Sequence, residues 1–212
     1  AAVAAGIVPL ALGTQTLGSV IRPAAFCGVV GVKPSHGLIL EAGVQPFAPS
    51  LDHVGYFVRS MEDAELAFSL LTGRPAQPRT AAPRIALMTT SRASAMSADA
   101  AAALDRAAQQ LRDTGAVVEV LDWPAELDAI WGAAVDLAVA EAAEVYGTIA
   151  DSGQAGPDII EAVRSGRALP AGRYQQTRAL QSDLRASFHA FIHGFDAVLT
   201  VPTTGTAPEG LK

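Results

Sequence analysis

Gly13-Thr14-Gln15-Thr16-Leu17-Gly18-Ser19-Val20-Ile21-Arg22-Pro23-Ala24 runs directly into Ala25-Phe26-Cys27-Gly28-Val29-Val30-Gly31-Val32-Lys33-Pro34. This stretch places an uncharged serine, Ser19, on a glycine-bounded turn after an apolar run over 7–12 that reads as a buried strand. Gly13 and Gly18 permit backbone conformations closed to bulkier residues, so the N–H groups of Thr16, Leu17, Gly18 and Ser19 can converge on one point. Converging donors suit an oxyanion, and a strand-to-turn placement exposes Ser19 at a sheet edge. Pro23 is expected to end regular hydrogen bonding just past the turn. The glycine-punctuated apolar run 26–32 suits close backbone packing beneath it.

Outward from this stretch, residues 1–5 read as the end of a helix capped by Gly6. Ser60, with Asp63 three residues on, caps a helix over 61–71 whose apolar positions Ala64, Ala67, Phe68 and Leu71 recur at helical spacing, and Gly73 terminates it. Residues 73–83 are rich in proline and polar side chains, a loop where a subdomain boundary can fall. Then come a strand over 84–88, an alanine-rich helix over 97–114, a turn at Gly115 and a strand over 116–121. That strand-helix-strand order favours parallel pairing. A long helix over 127–150, a loop over 152–157, a short helix over 158–164, a helix over 174–192 and a strand over 197–201 ending at Pro202 complete an α/β chain.

The chain has 212 residues, half of them hydrophobic, enough for a substantial core. A formal net charge of −6 with scattered arginines gives no basic stripe, which argues against nucleic acid and for a small-molecule partner. No run of 18 or more apolar residues marks a membrane span. Residues 1–12 are apolar but have no initiating Met, basic region or cleavage context, and read as internal sequence. Cys27 is the only cysteine, so no intramolecular disulfide forms, and the cytoplasm is the default compartment. Among Phe26, Val29 and Val30, Cys27 reads as a buried small hydrophobe.

The quoted stretch, together with Ser50-Leu51-Asp52-His53-Val54-Gly55 and Asp196-Ala197-Val198-Leu199-Thr200-Val201-Pro202-Thr203, resembles the amidase signature family. The resemblance implies an α/β/α architecture with a mixed central sheet flanked by helices. It implies hydrolysis of a carboxylic amide, through an acyl-enzyme, to an acid plus ammonia or an amine, with no metal or cofactor. Ser19 would be the nucleophile, and the backbone of Thr16, Leu17, Gly18 and Ser19 would form the oxyanion hole. Pro202 and Thr203 would approach the substrate pocket.

The family's remaining machinery is a second serine, bridging through a cis peptide, and a neutral lysine base. This sequence holds two lysines, Lys33 and Lys212. Neither stands where the resemblance places the base, which is upstream of the nucleophile motif, and the bridging serine falls just before Ala1. Residues 1–212 therefore read as a partial amidase domain, incomplete at both ends. Gln15 stands where many members have Asp, and Leu17 where Gly or Ala is usual, which bears on substrate class. Gln15 and Arg22 are expected to support the turn, and Lys33 to brace a loop or face solvent.

Two rival functions are the glutaminase component of a tRNA amidotransferase and a non-catalytic fragment or binding module. The first is disfavoured by Gln15 and Leu17, because that branch resembles Asp-Thr-Gly-Gly-Ser here; the missing lysine favours the second. Homo-oligomerisation is left open. Gly13 to Ser19 imitates the start of a phosphate-binding loop, but Ser19 occupies the lysine position. His189 and His193 have zinc-ligand spacing on the expected helix but no third ligand. His36 and His53, with Asp52 beside the latter, offer a triad base only if tertiary geometry assembles them.

Overall fold

The computed structural model describes residues 1–75 and 81–210. In chain order the elements are β1 (Ala11–Gln15), α1 (Ile21–Cys27), β2 (Val30–Val32), β3 (His53–Val58), α2 (Met61–Thr72), β4 (Arg84–Leu87), α3 (Ala98–Asp113), β5 (Val117–Val120), α4 (Ala129–Asp151), α5 (Pro157–Arg167), α6 (Arg173–Phe191) and β6 (Ala197–Leu199). The α/β class read from the sequence holds. Two compact units divide the chain: Ala1–Arg74 with Ala129–Arg185, and Pro75–Asp128 with Ala186–Lys212. Part of the expected 73–83 loop, residues 76–80, lies outside the described residues, as does Lys212.

In the first unit β3 is the centre of an antiparallel sheet ordered β1-β3-β2. Val54, Tyr56 and Val58 alternate onto one face and form a core with Ile39 and with Ala64 and Ala67 of α2. Tyr56 is fully buried, and its hydroxyl donates to the Ala64 carbonyl at 2.8 Å, so its one polar group is satisfied inside the core. The opposite face carries Gly31 and Gly55. A Cβ on Gly31 would fall 2.5 Å from the Ala24 Cβ, and one on Gly55 would fall 3.2 Å from a methyl of Val20. These glycines let α1 and the turn before it lie directly on the sheet.

Several expectations shift here. Residues 7–12 are not a buried strand: Ile7 is 76% exposed, and β1 begins at Ala11 and runs through Gly13 to Gln15 with alternating burial. The reason is pairing, since β1 follows the register set by β3, from Ala11 opposite Phe57 to Gln15 opposite His53. Gly13 and Gly18 have no positive φ. Gly13 is instead a close approach, because a Cβ there would meet the Phe57 ring at 2.8 Å. Pro23 does not end hydrogen bonding; it is the third residue of α1, in the first turn, where its missing N–H costs little. Cys27, the last residue of α1, is half-buried rather than buried. Strands β2 and β3 were not anticipated.

Residues 1–5 form one helical turn rather than an assigned helix. Gly6 (φ 73°) closes it with the paired bonds Gly6 N to Val3 O and Ile7 N to Ala2 O. Helix α2 starts as read: the Ser60 hydroxyl accepts the Asp63 N–H at 3.1 Å, and Gly73 caps the end. Helices α4 and α5 cross closely at Gly166, where a Cβ would overlap the Val139 carbonyl oxygen. Helix α5 is longer than expected at both ends, with Pro157 in its first turn.

The second unit holds a parallel sheet ordered β5-β4-β6. Helix α3 connects β4 to β5; Ser97, read as its first residue, lies just outside it and caps it, its hydroxyl accepting the Ala100 N–H at 3.2 Å. Asp196 accepts the Arg84 N–H at 2.8 Å, and the Arg84 guanidinium donates to Glu119 at 2.7 Å and stacks over Phe195. One arginine at the start of β4 thus reaches the interior of β5 and the residues leading into β6.

Candidate active site

Ser19 lies in the turn between β1 and α1, four residues past the end of the strand, and is exposed. The turn is shaped from within by Gln15, the last residue of β1, only 7% exposed. Its side-chain oxygen accepts the N–H of Val20 at 2.8 Å and of Ile21 at 3.0 Å, while its Nε2 donates to the Leu17 carbonyl at 3.3 Å. One amide side chain therefore closes the turn on both sides of Ser19. The amides of Leu17, Gly18 and Ser19 donate to no acceptor among the described residues, and neither does the Ser19 hydroxyl. The Leu17 side chain is 55% exposed beside them.

A second anchor comes from Asp52, which is 7% exposed. Its Oδ1 accepts the Thr16 hydroxyl at 2.5 Å, and its Oδ2 accepts the N–H groups of Phe47 and Ala48 at 2.7 and 2.9 Å. With this carboxylate committed to the turn and to the 47–48 backbone, Asp52 and His53 make no Asp–His pair. His53 Nδ1 instead donates to the Leu51 carbonyl at 2.6 Å, and His36 packs edge-on against it with ring centroids 5.2 Å apart. Burial, then the nearby Lys33 charge, holds the His53 imidazole below its ordinary pKa.

Lys33 braces its loop, as its sequence position suggests: Nζ donates to the Pro34 carbonyl at 3.0 Å, and burial lowers its pKa. Arg22 is exposed and its side chain makes no hydrogen bond or ion pair among the described residues, so the guanidinium does not tie the turn together. Pro202 and Thr203 follow β6 in the second unit. His189 and His193 are both exposed, and α6 ends at Phe191, so they do not share a continuous helix face. The phosphate-loop reading fails locally as well, because Gly13 to Gln15 are strand.

Sequence reasoning missed two features of the first unit. Asp52 anchors the turn, and only its place in the Ser-Leu-Asp segment hinted at it. The other is a cavity of about 800 Å³ lined by Ser50, Glu141, Glu144, Arg167 and Tyr174 among others; Ser19 does not line it.

The amidase family model matches residues 1–211, and the chain belongs to that family. Among curated relatives are the A-type subunits of glutamyl-tRNA(Gln) amidotransferase. The one from Persephonella marina is 45% identical over 84 residues, covering 40% of this chain and 17% of that protein. Its namesake from Staphylococcus aureus strain Mu3 is 36% identical over 141 residues, covering 58% and 29%. A solved amidase superposes with a TM-score of 0.83 at 29% identity, over 93% of this chain and 46% of that one. A protein solved in work on a vestigial complex and the origins of an s-triazine catabolic enzyme gives a TM-score of 0.86 at 28% identity, over 98% and 48%. The chain thus spans less than a third of these curated relatives and about half of the solved ones. Among the described residues no helix is long and apolar enough to cross a membrane.

Proposed function

We propose that the whole protein hydrolyses a carboxylic amide of a small molecule, with Ser19 as nucleophile. The observation that carries this reading is the Ser19 turn itself. Among the described residues it holds an exposed hydroxyl without a hydrogen-bond partner beside three backbone N–H groups without acceptors, in a chain of the amidase family. In the reaction Ser19 Oγ attacks the carbonyl carbon as its proton passes to a base. The N–H groups of Leu17, Gly18 and Ser19, with that of Thr16, take up the charge that develops on the carbonyl oxygen. One such donor contributes about 3 kcal/mol of transition-state stabilisation. Collapse expels ammonia or an amine, and water then cleaves the Ser19 ester to release the acid.

The base is not assigned to Lys33, whose ammonium is held by the Pro34 carbonyl; the family resemblance puts it outside these residues. Gln15 supports the turn, Arg22 is left to meet an acidic group on the substrate, and Pro202 and Thr203 are assigned to the substrate pocket. A glutaminase role within an amidotransferase is a second reading, favoured by the similarity to the Persephonella and Staphylococcus proteins. Gln15 and Leu17 weigh against it. The test is release of ammonia from glutamine and from aliphatic and aromatic amides by the full-length protein, with intact mass spectrometry of a slow-turnover ester to find acyl-Ser19. Aliphatic or aromatic turnover with an adduct on Ser19 supports the first reading, and turnover of glutamine alone the second. An adduct on another residue rejects Ser19.

A further inference from the structure

We infer that the cavity bounded by α4, the end of α5 and the start of α6 is a binding site for a primary alkylammonium, held by the carboxylates of Glu141 and Glu144. Every residue lining it belongs to the first unit and Ser19 is not among them, so the inference does not depend on the role proposed for Ser19. A buried charge is ordinarily paired with an opposite charge or bound to a cation. Glu141 is 8% exposed and has neither: its oxygens take neutral donors, the Ser50 N–H at 2.8 Å and the Tyr174 hydroxyl at 2.9 Å. Asp52 is buried too, but it takes three donors and lines only a recess of about 40 Å³. Glu144 follows Glu141 one turn along α4, on the same face. It is exposed, lines the cavity and makes no hydrogen bond or ion pair among the described residues. Burial, the hydrogen bond to Glu141 and the charges of Glu141 and Glu144 hold the Tyr174 hydroxyl above its ordinary pKa, with Arg178 opposing, so both carboxylates face this hydroxyl. The neighbouring cations are engaged elsewhere. Arg167 gives both terminal nitrogens to Asp151, at 2.6 and 2.8 Å, and Arg178 donates to Gln181.

The cavity therefore carries two carboxylates with no cation of their own among the described residues. Its volume of about 800 Å³ is that of a small-molecule site. An ammonium brings three N–H donors and no acceptor. Glu141 and Glu144 accept from it, and Ser50 adds a third acceptor: it lines the cavity, and its Oγ is buried with no hydrogen-bond partner among the described residues. Ala143, Leu169 and Pro170 give the same cavity an apolar wall, which suits an alkyl stem. An anion would meet two like charges. A metal ion would lack ligands, because among the described residues no group of three or more His, Cys, Asp or Glu is placed to hold one.

The test is calorimetric titration of n-hexylamine hydrochloride into the full-length protein and its Glu141→Gln and Glu144→Gln variants at pH 7 in matched salt. Hexan-1-ol and sodium hexanoate serve as the neutral and anionic counterparts of the same stem. Glu141→Gln keeps an oxygen for the Ser50 N–H, so it removes the charge and leaves an acceptor for the loop. The parent is expected to bind hexylammonium with a Kd of about 1 mM or tighter. Glu141→Gln should weaken this about tenfold or more, and Glu144→Gln, at an exposed carboxylate, about threefold. Hexan-1-ol and hexanoate should bind the parent at least about tenfold more weakly than the amine. Absence of hexylammonium binding to the parent would overturn the site. So would hexan-1-ol binding as tightly as the amine, which would leave an apolar cavity with no use for the carboxylates. Parental affinity in either folded variant overturns it as well. If Glu141→Gln does not fold, Glu144→Gln decides: weakened amine binding supports the site, and parental affinity rejects it.

Discussion

Glu141 on α4 accepts the backbone N–H of Ser50, 91 residues earlier in the chain, at 2.8 Å through Oε2, while its Oε1 accepts the Tyr174 hydroxyl at 2.9 Å. The carboxylate is buried, 8% exposed, and each oxygen is engaged. Ser50 stands two residues before Asp52, so this contact fixes the same loop that holds Thr16. Removing the carboxylate in Glu141→Ala leaves a backbone donor without its charged acceptor, a loss of about 2–3 kcal/mol. Tyr174→Phe removes one hydrogen bond at a partly exposed site and should cost about 1 kcal/mol. Urea unfolding of the two variants checks the order; equal midpoints with the parent would show that the loop is held without Glu141.

His53 makes stability sensitive to acid. Its folded pKa lies below the free imidazole value of about 6.5, because burial and the Lys33 charge disfavour the imidazolium; His36 adds to this, while hydrogen bonds to the Leu51 and Gln15 backbone oppose it. With a depressed folded pKa, the unfolded chain binds more protons in the intervening window. The contribution is therefore fully present above about pH 6.5 and is lost as pH falls through the folded pKa. His53→Asn keeps a donor toward Leu51 without titrating, and melts recorded from pH 8 to pH 5 should show a shallower acid limb. An acid limb as steep as the parent's would remove His53 from this account.

The α4–α5 crossing should tolerate no side chain at Gly166. A Cβ overlapping the Val139 carbonyl oxygen forces the helix backbones apart, and Gly166→Ala is expected to cost about 3 kcal/mol. Gly132, exposed in α4 with no atom near its Cβ position, gives the control: Gly132→Ala should stabilise by about 0.5–1 kcal/mol. Thermal melts of both variants settle whether space or propensity governs these glycines.

Ser19→Ala removes one exposed hydroxyl and opens no core cavity, so turnover should vanish while the melting temperature stays within about 1 °C of the parent. Cys27→Ser should retain turnover. Activity of Ser19→Ala near the parental level, or its loss in a folded Cys27→Ser variant, would move the nucleophile elsewhere.

Leu17 is 55% exposed two residues before Ser19, so under the proposed reaction its side chain would meet the substrate. Leu17→Ala should raise kcat/KM for bulky amides by about tenfold and change it little for acetamide, the scale set by a few methylenes of pocket space. A parallel change for large and small amides would show that the side chain acts on the turn and not on the substrate.

Local chemistry was legible in the chain alone. The Ser60 cap, the stop at Gly73, the closing of the first turn at Gly6 and the parallel β4-α3-β5 unit follow from hydrogen-bonding side chains and periodicities contained within a few residues. The Ser19 motif was legible for the same reason, since its family likeness is written in contiguous sequence.

What tertiary structure decided was every feature whose partner lies far along the chain. Residues 53–58 became the central strand because β1 and β2 pair with them from both sides, and that pairing moved β1 onto Gly13–Gln15, residues the sequence had placed in a turn. The first-turn position that makes Pro23 harmless in α1 exists because the turn before it is clamped by a buried Gln15. Glu141 reads as one more polar position on a long helix until Ser50 and Tyr174 are brought to its two oxygens. Hydrogen bonds between distant residues leave no period in the sequence, so their partners appear only when the chain has folded.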